Sequence, residues 1–310
     1  MSTVLSAAAA APATGRPPRG PRGLTWTVLR VHRTALVFWC LTLAFATAVL
    51  IWMYAIGDEA RTGITACASP PTDARPSCAE VGSITADERY IDGIRLVTEL
   101  IAYLMFPIAA WAGGVLVGQE LERGTARLAW TQSVTPARWL AAKLAVPAVL
   151  ITVGTSALVS LIVLARGDGE PALVGHWYQT EAYISTGPTA VGHALAGLSL
   201  GALFGLLCGR PLPAAGLSFA ACLVLYNVLD RGREHLWPTA TRRATDAQGF
   251  QLPHESLAVE WTYQGDRIVR ATYHPPSHLR PLQYVETGIL LAVAAAATLT
   301  AFAALRRRTP

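Results

Sequence analysis

The chain has 310 residues, 52% of them apolar and 15% charged, with a formal net charge of +5. Repeated charge-free runs of about twenty apolar residues exclude an ordinary soluble protein, because that length is what a hydrocarbon core demands of a helix. The basic balance does not mark a nucleic-acid binder, since the arginines flank the apolar runs and fit phospholipid headgroups instead.

Residues 1–33 form a tail that is Ala/Pro-rich and then Arg-rich. Its early alanine run has no basic region before it, so it does not read as a cleavable signal peptide, and the first span reads as a signal anchor. Six spans follow, at about 34–56, 96–117, 144–165, 191–208, 212–229 and 285–305. The fourth and fifth are short for a full crossing. The fold class is an all-α membrane protein, with residues 34–310 as a single transmembrane domain.

Charge totals alone do not orient these spans, because six spans place thirteen basic residues on one side and twelve on the other. The short flanks decide it. The amino tail carries Arg16, Arg19, Arg22, Arg30 and Arg33, the carboxyl tail Arg306, Arg307 and Arg308, and neither contains an acid. Two such tails belong inside, which requires an even number of spans and puts loops 57–95 and 230–284 outside. The second of these mixes Pro, Trp, His and both charge signs and reads as a folded cap. Cys67 and Cys78 are the only cysteines outside the apolar runs, and an oxidising exterior favours a disulfide between them over two free thiols. Cys40, Cys208 and Cys222 read as small apolar fillers.

Between spans two and three runs Gly118-Gln119-Glu120-Leu121-Glu122-Arg123-Gly124-Thr125, then Ala126 to Gln132. Glu120 and Arg123 stand at pairing distance on a helix, and Gly124 is a natural stop or bend. Thr135-Pro136 reads as an N-cap followed by Pro at the first helical position. Arg138, Trp139 and Lys143 suit the headgroup layer as anchors, and Pro147 predicts a kink about a turn into the membrane. The physics leaves two readings open, a polar loop with interfacial anchors or a docking surface.

Other features are weighed more briefly. Gly197, Gly201, Gly205 and Gly209 recur every four residues and predict a groove for close helix packing. Glu99 and Glu286 sit near the outer ends of their spans and Asp230 just past span five, shallow enough for hydration; Asn227 and His193 read as satisfied packing partners. Prolines 275 and 276 preclude a regular helical metal pair of His274 and His278, and His254-Glu255 stands isolated, so no metal site is assigned. No hydrolase or metalloprotease motif occurs.

Glu120-Leu121-Glu122-Arg123-Gly124-Thr125, then Trp130-Thr131-Gln132 and Pro136 to Leu144, resembles the cytoplasmic loop of ABC type-2 transporter permeases. Tyr273 to His278 and Leu282 to Glu286 are similar to the entry into the last span of actinobacterial members, although His278-Leu279-Arg280 stands where those have Arg-Phe-Trp. The sharp motifs cover about a fifth of the chain, the six-span layout the whole.

The resemblance implies the membrane permease of an ATP-binding cassette exporter in the cell membrane. A second permease copy would form a homo- or heterodimer with it. A separate ATPase subunit would press on a coupling helix, with Gln119, Glu120, Glu122, Arg123, Gly124 and Thr125 as the contacts. It also implies that the amphipathic Leu24–Arg30 run is a connecting helix lying in the interface, with Trp26 and Leu29 toward lipid and Trp26 and Arg30 as anchors. The chain itself carries no cofactor: its single lysine, Lys143, lies between Ala142 and Leu144, so no phosphate-cradling Gly-Lys motif exists and ATP and Mg would belong to the partner. The expectation is a permease and not an enzyme. An ATPase-independent transporter or resistance protein is the alternative, a membrane-embedded enzyme a more distant one, and no substrate is selected.

Overall fold

A computed structural model describes residues 23–63, 67, 72, 77, 86–132, 134–167, 171–243 and 250–308. Its elements in chain order begin with α1 (Leu24–Val31) and α2 (Arg33–Gly63), followed by α3 (Ala86–Tyr103) and α4 (Met105–Trp111). A π-helical turn, Ala112–Gly118, leads into the short α5 (Gln119–Glu122) and α6 (Thr125–Thr131). Then come α7 (Pro136–Arg166), α8 (Pro171–Val174), α9 (Thr180–Ser185), α10 (Thr189–Cys208) and α11 (Pro211–Gly232). Strands β1 (Ala240–Arg243), β2 (Leu257–Gln264) and β3 (Arg267–His274) precede the final α12 (Leu279–Arg308).

Among the described residues five helices are long and apolar enough to cross a membrane, or six if the bent pair Ala86–Tyr103 and Met105–Glu122 counts as one span. The chain is therefore a multi-pass helical membrane protein. The pair is bent by 40° at Leu104. Pro107 accounts for the break, since its ring crowds the carbonyl four residues back, that of Tyr103, and it donates no hydrogen bond. Pro147, by contrast, lies inside the unbroken α7. Helices α2 and α3 reach well into the 57–95 stretch read as loop. At the end of α2 the Arg61–Asp58 pair, 2.5 Å apart, lets the helix continue past its apolar run.

Local signals fix several boundaries. Thr135 caps α7 by accepting from the Arg138 amide at 3.3 Å, with Pro136 at the first helical position. Gly124 and Gly209 have φ of 72° and 61°, a left-handed backbone that side chains resist. Gly209 thus ends α10 as its cap and is not a fourth member of the packing groove.

The centre of the bundle is α10, which packs against α4, the π turn, α7, α11 and α12. A methyl group on Gly197 would stand 2.6 Å from the Met105 carbonyl oxygen, and one on Gly205 2.8 Å from that of Gly113. Gly201 faces Ala109 and Ala112 in the same way. The partner of the glycine groove is therefore the second half of the bent span, backbone on backbone. Lipid-sized apolar side chains such as Phe38, Phe45 and Trp52 on α2, and Leu212 and Val224 on α11, point outward.

Successive spans alternate in direction. The Arg308 guanidinium donates to the Leu207 carbonyl at 2.9 Å, Arg210 lies against Gly118, and Lys143 meets His32. The start of α2, the elbow 119–135, the α10–α11 turn and the basic carboxyl end thus share one end of the bundle. At the other end β1, β3 and β2 form an antiparallel sheet in that order, with Ala240 opposite Tyr273 and Trp261 opposite Ala271. The all-helical expectation did not include this sheet, which occupies the segment read as a folded cap. Cys67 is disulfide-bonded, Cys40, Cys208 and Cys222 are free thiols, and Cys78 lies outside the described residues.

Candidate functional site

The elbow is built from two short helices and one glycine. After α5, the Arg123 amide still bonds the Gln119 carbonyl at 3.0 Å, and Gly124 then reverses the backbone into α6. The Thr125 hydroxyl closes the turn on the Glu120 carbonyl at 3.2 Å. This leaves Glu122, Arg123, Thr125, Arg127 and Leu128 exposed, with Gln119 and Gly124 half-buried. Leu128 is 59% exposed, an apolar side chain on the outer face of a charged turn. Leu128 is not among the residues singled out from sequence, although its place in the Ala126–Ala129 run between Arg127 and Trp130 is the signal.

Glu120 behaves differently from its neighbours. It does not pair with Arg123; it turns inward, where one carboxylate oxygen accepts from the Lys143 ammonium and the other from the Trp139 indole at 3.2 Å. Lys143 also donates to the His32 imidazole at 2.9 Å, and that ring stands 3.9 Å from Glu120 and edge-on to Trp111 at 5.6 Å. An ammonium is only a donor, so His32 Nε2 accepts and the ring is neutral. Burial first, and the Lys143 charge second, push the His32 pKa from 6.5 down to about 4.

These contacts correct two sequence readings. Trp139 and Lys143 are only 3% and 5% exposed, so they do not anchor the chain in headgroups. Their helical spacing on α7 turns both toward the elbow, and a lone buried ammonium keeps its charge only when a carboxylate meets it. Arg138 remains exposed, as do Trp26 and Arg30, whose guanidinium lies 4.8 Å over the Trp26 ring. The result is a polar root that joins the α1–α2 junction, the end of the bent span and the start of α7.

A second buried cluster lies at the opposite end. Glu286 is 0% exposed, whereas its place near a helix end had implied an open, shallow position. Its Oε2 accepts from Arg233 Nε at 3.3 Å, and His193 Nε2 stands 3.9 Å from Oε1. Arg233 also reaches Asp230 at 3.4 Å and covers the Tyr183 ring at 4.0 Å. Asp230 accepts from the Thr180 hydroxyl at 2.5 Å. Glu286 Oε1 and the Tyr183 hydroxyl are both enclosed, and the tyrosine and the carboxylate face each other. Arg233, three residues beyond Asp230, went unread because it falls outside the apolar run.

The remaining polar residues resolve simply. Asn227 donates to its own helix at the Leu223 carbonyl, 2.8 Å away, and His193 Nδ1 bonds the Thr189 carbonyl at 2.9 Å. Glu99 pairs with Arg95 at 2.8 Å on the surface. Glu255 is not isolated: it meets His176 at 3.3 Å, and its carbonyl accepts from Trp177 at 2.6 Å.

The family model described as "ABC-2 membrane transporter related" matches residues 26–231, from within α1 to near the end of α11, and so takes in α2, both helices of the bent span, the elbow and α7 to α10. Comparison with curated proteins and with solved structures gives no match.

Proposed function

The chain belongs to the ABC-2 membrane transporter related family, and we propose that it is the permease of an ATP-binding cassette exporter in the cell membrane. Six spans then place both basic tails and the elbow in the cytoplasm, and the sheet outside. A second permease copy completes the pathway, and a separate ATPase subunit binds ATP and Mg. That division agrees with a chain whose only lysine is held by Glu120 inside the bundle.

The observation that carries the coupling role is the elbow with its root. Gln119, Glu122, Arg123, Gly124, Thr125, Arg127 and Leu128 offer the ATPase a charged turn with one apolar anchor. Glu120 is the link beneath that surface. A push on the turn reaches α7 through Lys143 and Trp139 and the α1–α2 junction through His32, so closure of the ATPase would move three segments together. Trp26, Arg30 and Arg138 hold α1 and the start of α7 at the headgroups, and the disulfide of Cys67 constrains the first outer loop.

The test co-expresses the permease with a candidate ATP-binding cassette ATPase subunit from the same source and reconstitutes the two in vesicles. The intact permease should co-purify with it and stimulate its hydrolysis. Arg123→Glu with Leu128→Glu should abolish co-purification while leaving the permease folded. Lys143→Met should retain co-purification and lose stimulation. Transport that persists when the ATPase is deleted would overturn the proposal.

A further inference from the structure

His274 and His278 are brought together by a route that helix periodicity does not describe. His274 closes β3, Pro275 continues extended at φ −72° and ψ 164°, and Pro276–His278 form one 3-10 turn before α12. The His278 amide bonds the Pro275 carbonyl at 2.9 Å. This tight turn puts the two Nδ1 atoms 3.0 Å apart, with the rings inclined at 65°. The prolines that rule out a helical pair are thus what folds the pair together.

The hydrogen bond behind His274 decides what that ring offers. Its Nε2 lies 2.9 Å from the Glu234 carbonyl oxygen, which only accepts, so Nε2 carries the proton and Nδ1 presents a lone pair. A carbonyl that fixes the far nitrogen of an imidazole is the arrangement that orients metal-ligating histidines. His274 is 0% exposed and held by that carbonyl, whereas His278 is half-buried. Without a metal, His278 Nδ1–H donates to His274. With one, His278 moves its proton to Nε2 and both lone pairs converge, with no net proton released.

The spacing is close to what a metal needs. Two nitrogens on a tetrahedral zinc at about 2.0–2.1 Å are about 3.3 Å apart. A small rotation of His278 supplies the remainder. No group of three metal-ligating side chains occurs among the described residues, so water or a ligand of the transported molecule would complete the shell. We propose that His274 and His278 form a two-histidine site for a borderline divalent transition metal, zinc above all. It sits where the sheet joins the last helix, so an occupied site would stiffen the joint between β3 and α12.

The experiment uses the full-length protein in detergent, carrying a purification tag without histidine and stripped with chelator. Zn2+ is titrated by calorimetry and Co2+ by visible absorption, which reports nitrogen coordination directly. One equivalent of Zn2+ should bind and raise the melting temperature, and Co2+ should give a d–d band. His278→Ala, at the half-buried position, should weaken Zn2+ binding by at least about tenfold and remove the band. His274→Gln should do the same, while His176→Ala, at the histidine that pairs with Glu255, should leave both signals intact. No uptake at about 1 mM free Zn2+, or binding unchanged in His278→Ala, would overturn the proposal. Neither result bears on ATPase coupling.

Discussion

The two buried polar clusters at opposite ends of the bundle use similar residues to different effect. At the elbow end, Glu120 is met by an ammonium and an indole, and its carboxylate is partly open at 18% exposure. At the other end, Glu286 is sealed at 0% and meets one guanidinium, which it shares with Asp230. The first cluster joins three segments beneath an exposed turn, as a mechanical link requires. The second encloses its carboxylate against the Tyr183 hydroxyl, with Arg233 as its one cation. Position in the membrane does not explain the contrast, since both lie near span ends; how completely the packing encloses each carboxylate does.

The sharpest way to break this comparison is Arg233→Ala, which leaves Glu286 buried with no cation. Loss of one partner from a buried pair typically costs about 3–5 kcal/mol. The melting temperature of the detergent-purified protein should fall steeply, and yield with it. Arg233→Met with Glu286→Leu removes both charges and should recover most of that loss. If the single variant melts like the parent, Glu286 is not the sealed, dependent carboxylate described here.

How far such contacts can be read from sequence depends on their range. Gly124, Thr135-Pro136 and the acid-free tails act within a few residues, so residue type and spacing reveal them. The hairpin of β2 and β3 has a comparable signal in Gly265-Asp266, whose glycine has φ 59°, flanked by alternating Leu257–Gln264 and Arg267–His274. Pro107 likewise marks the broken span. The root is different: Lys143 lies 23 residues from Glu120 and 111 from His32. Near a span end a lysine fits headgroups as well as it fits a buried carboxylate, and only helix packing separates the two. The glycine groove was visible on α10, but its partner became identifiable only once the π turn with Gly113 was in place.

A smaller effect is expected at the elbow. Lys143→Met removes the main partner of Glu120, yet the carboxylate keeps the Trp139 indole and some access to water. The loss should be about 1–3 kcal/mol, less than at Arg233. Glu120→Gln alone leaves the Lys143 charge buried beside His32 and should destabilise by a similar amount. A double-mutant cycle of the two, read from melting temperatures, should show strong coupling. Additive losses would mean that the ammonium and the carboxylate do not depend on each other.

The smallest expected effect is acidic and belongs to His32. Its pKa falls from 6.5 to about 4 in the folded chain, so between those values the unfolded chain binds the more protons. The stability this ring contributes is complete above pH 6.5 and declines as the pH drops toward 4. Protonation would place a second cation against Lys143 at 2.9 Å in a buried site, with Glu120 at 3.9 Å as the facing acid among the described residues and Trp111 edge-on. Melting temperatures measured from pH 7.5 to 4.5 should fall more steeply for the parent than for His32→Gln, which has nothing to titrate there. Lys143→Met should lie between them, because burial, the larger cause, remains after the neighbouring charge is gone. The carboxylate cluster at the other end contains His193 but not Lys143, so Arg233→Met with Glu286→Leu should keep the whole of this His32-dependent slope. Equal slopes in the parent and His32→Gln would place the acid sensitivity elsewhere and leave the root as a fixed joint with no response to protons.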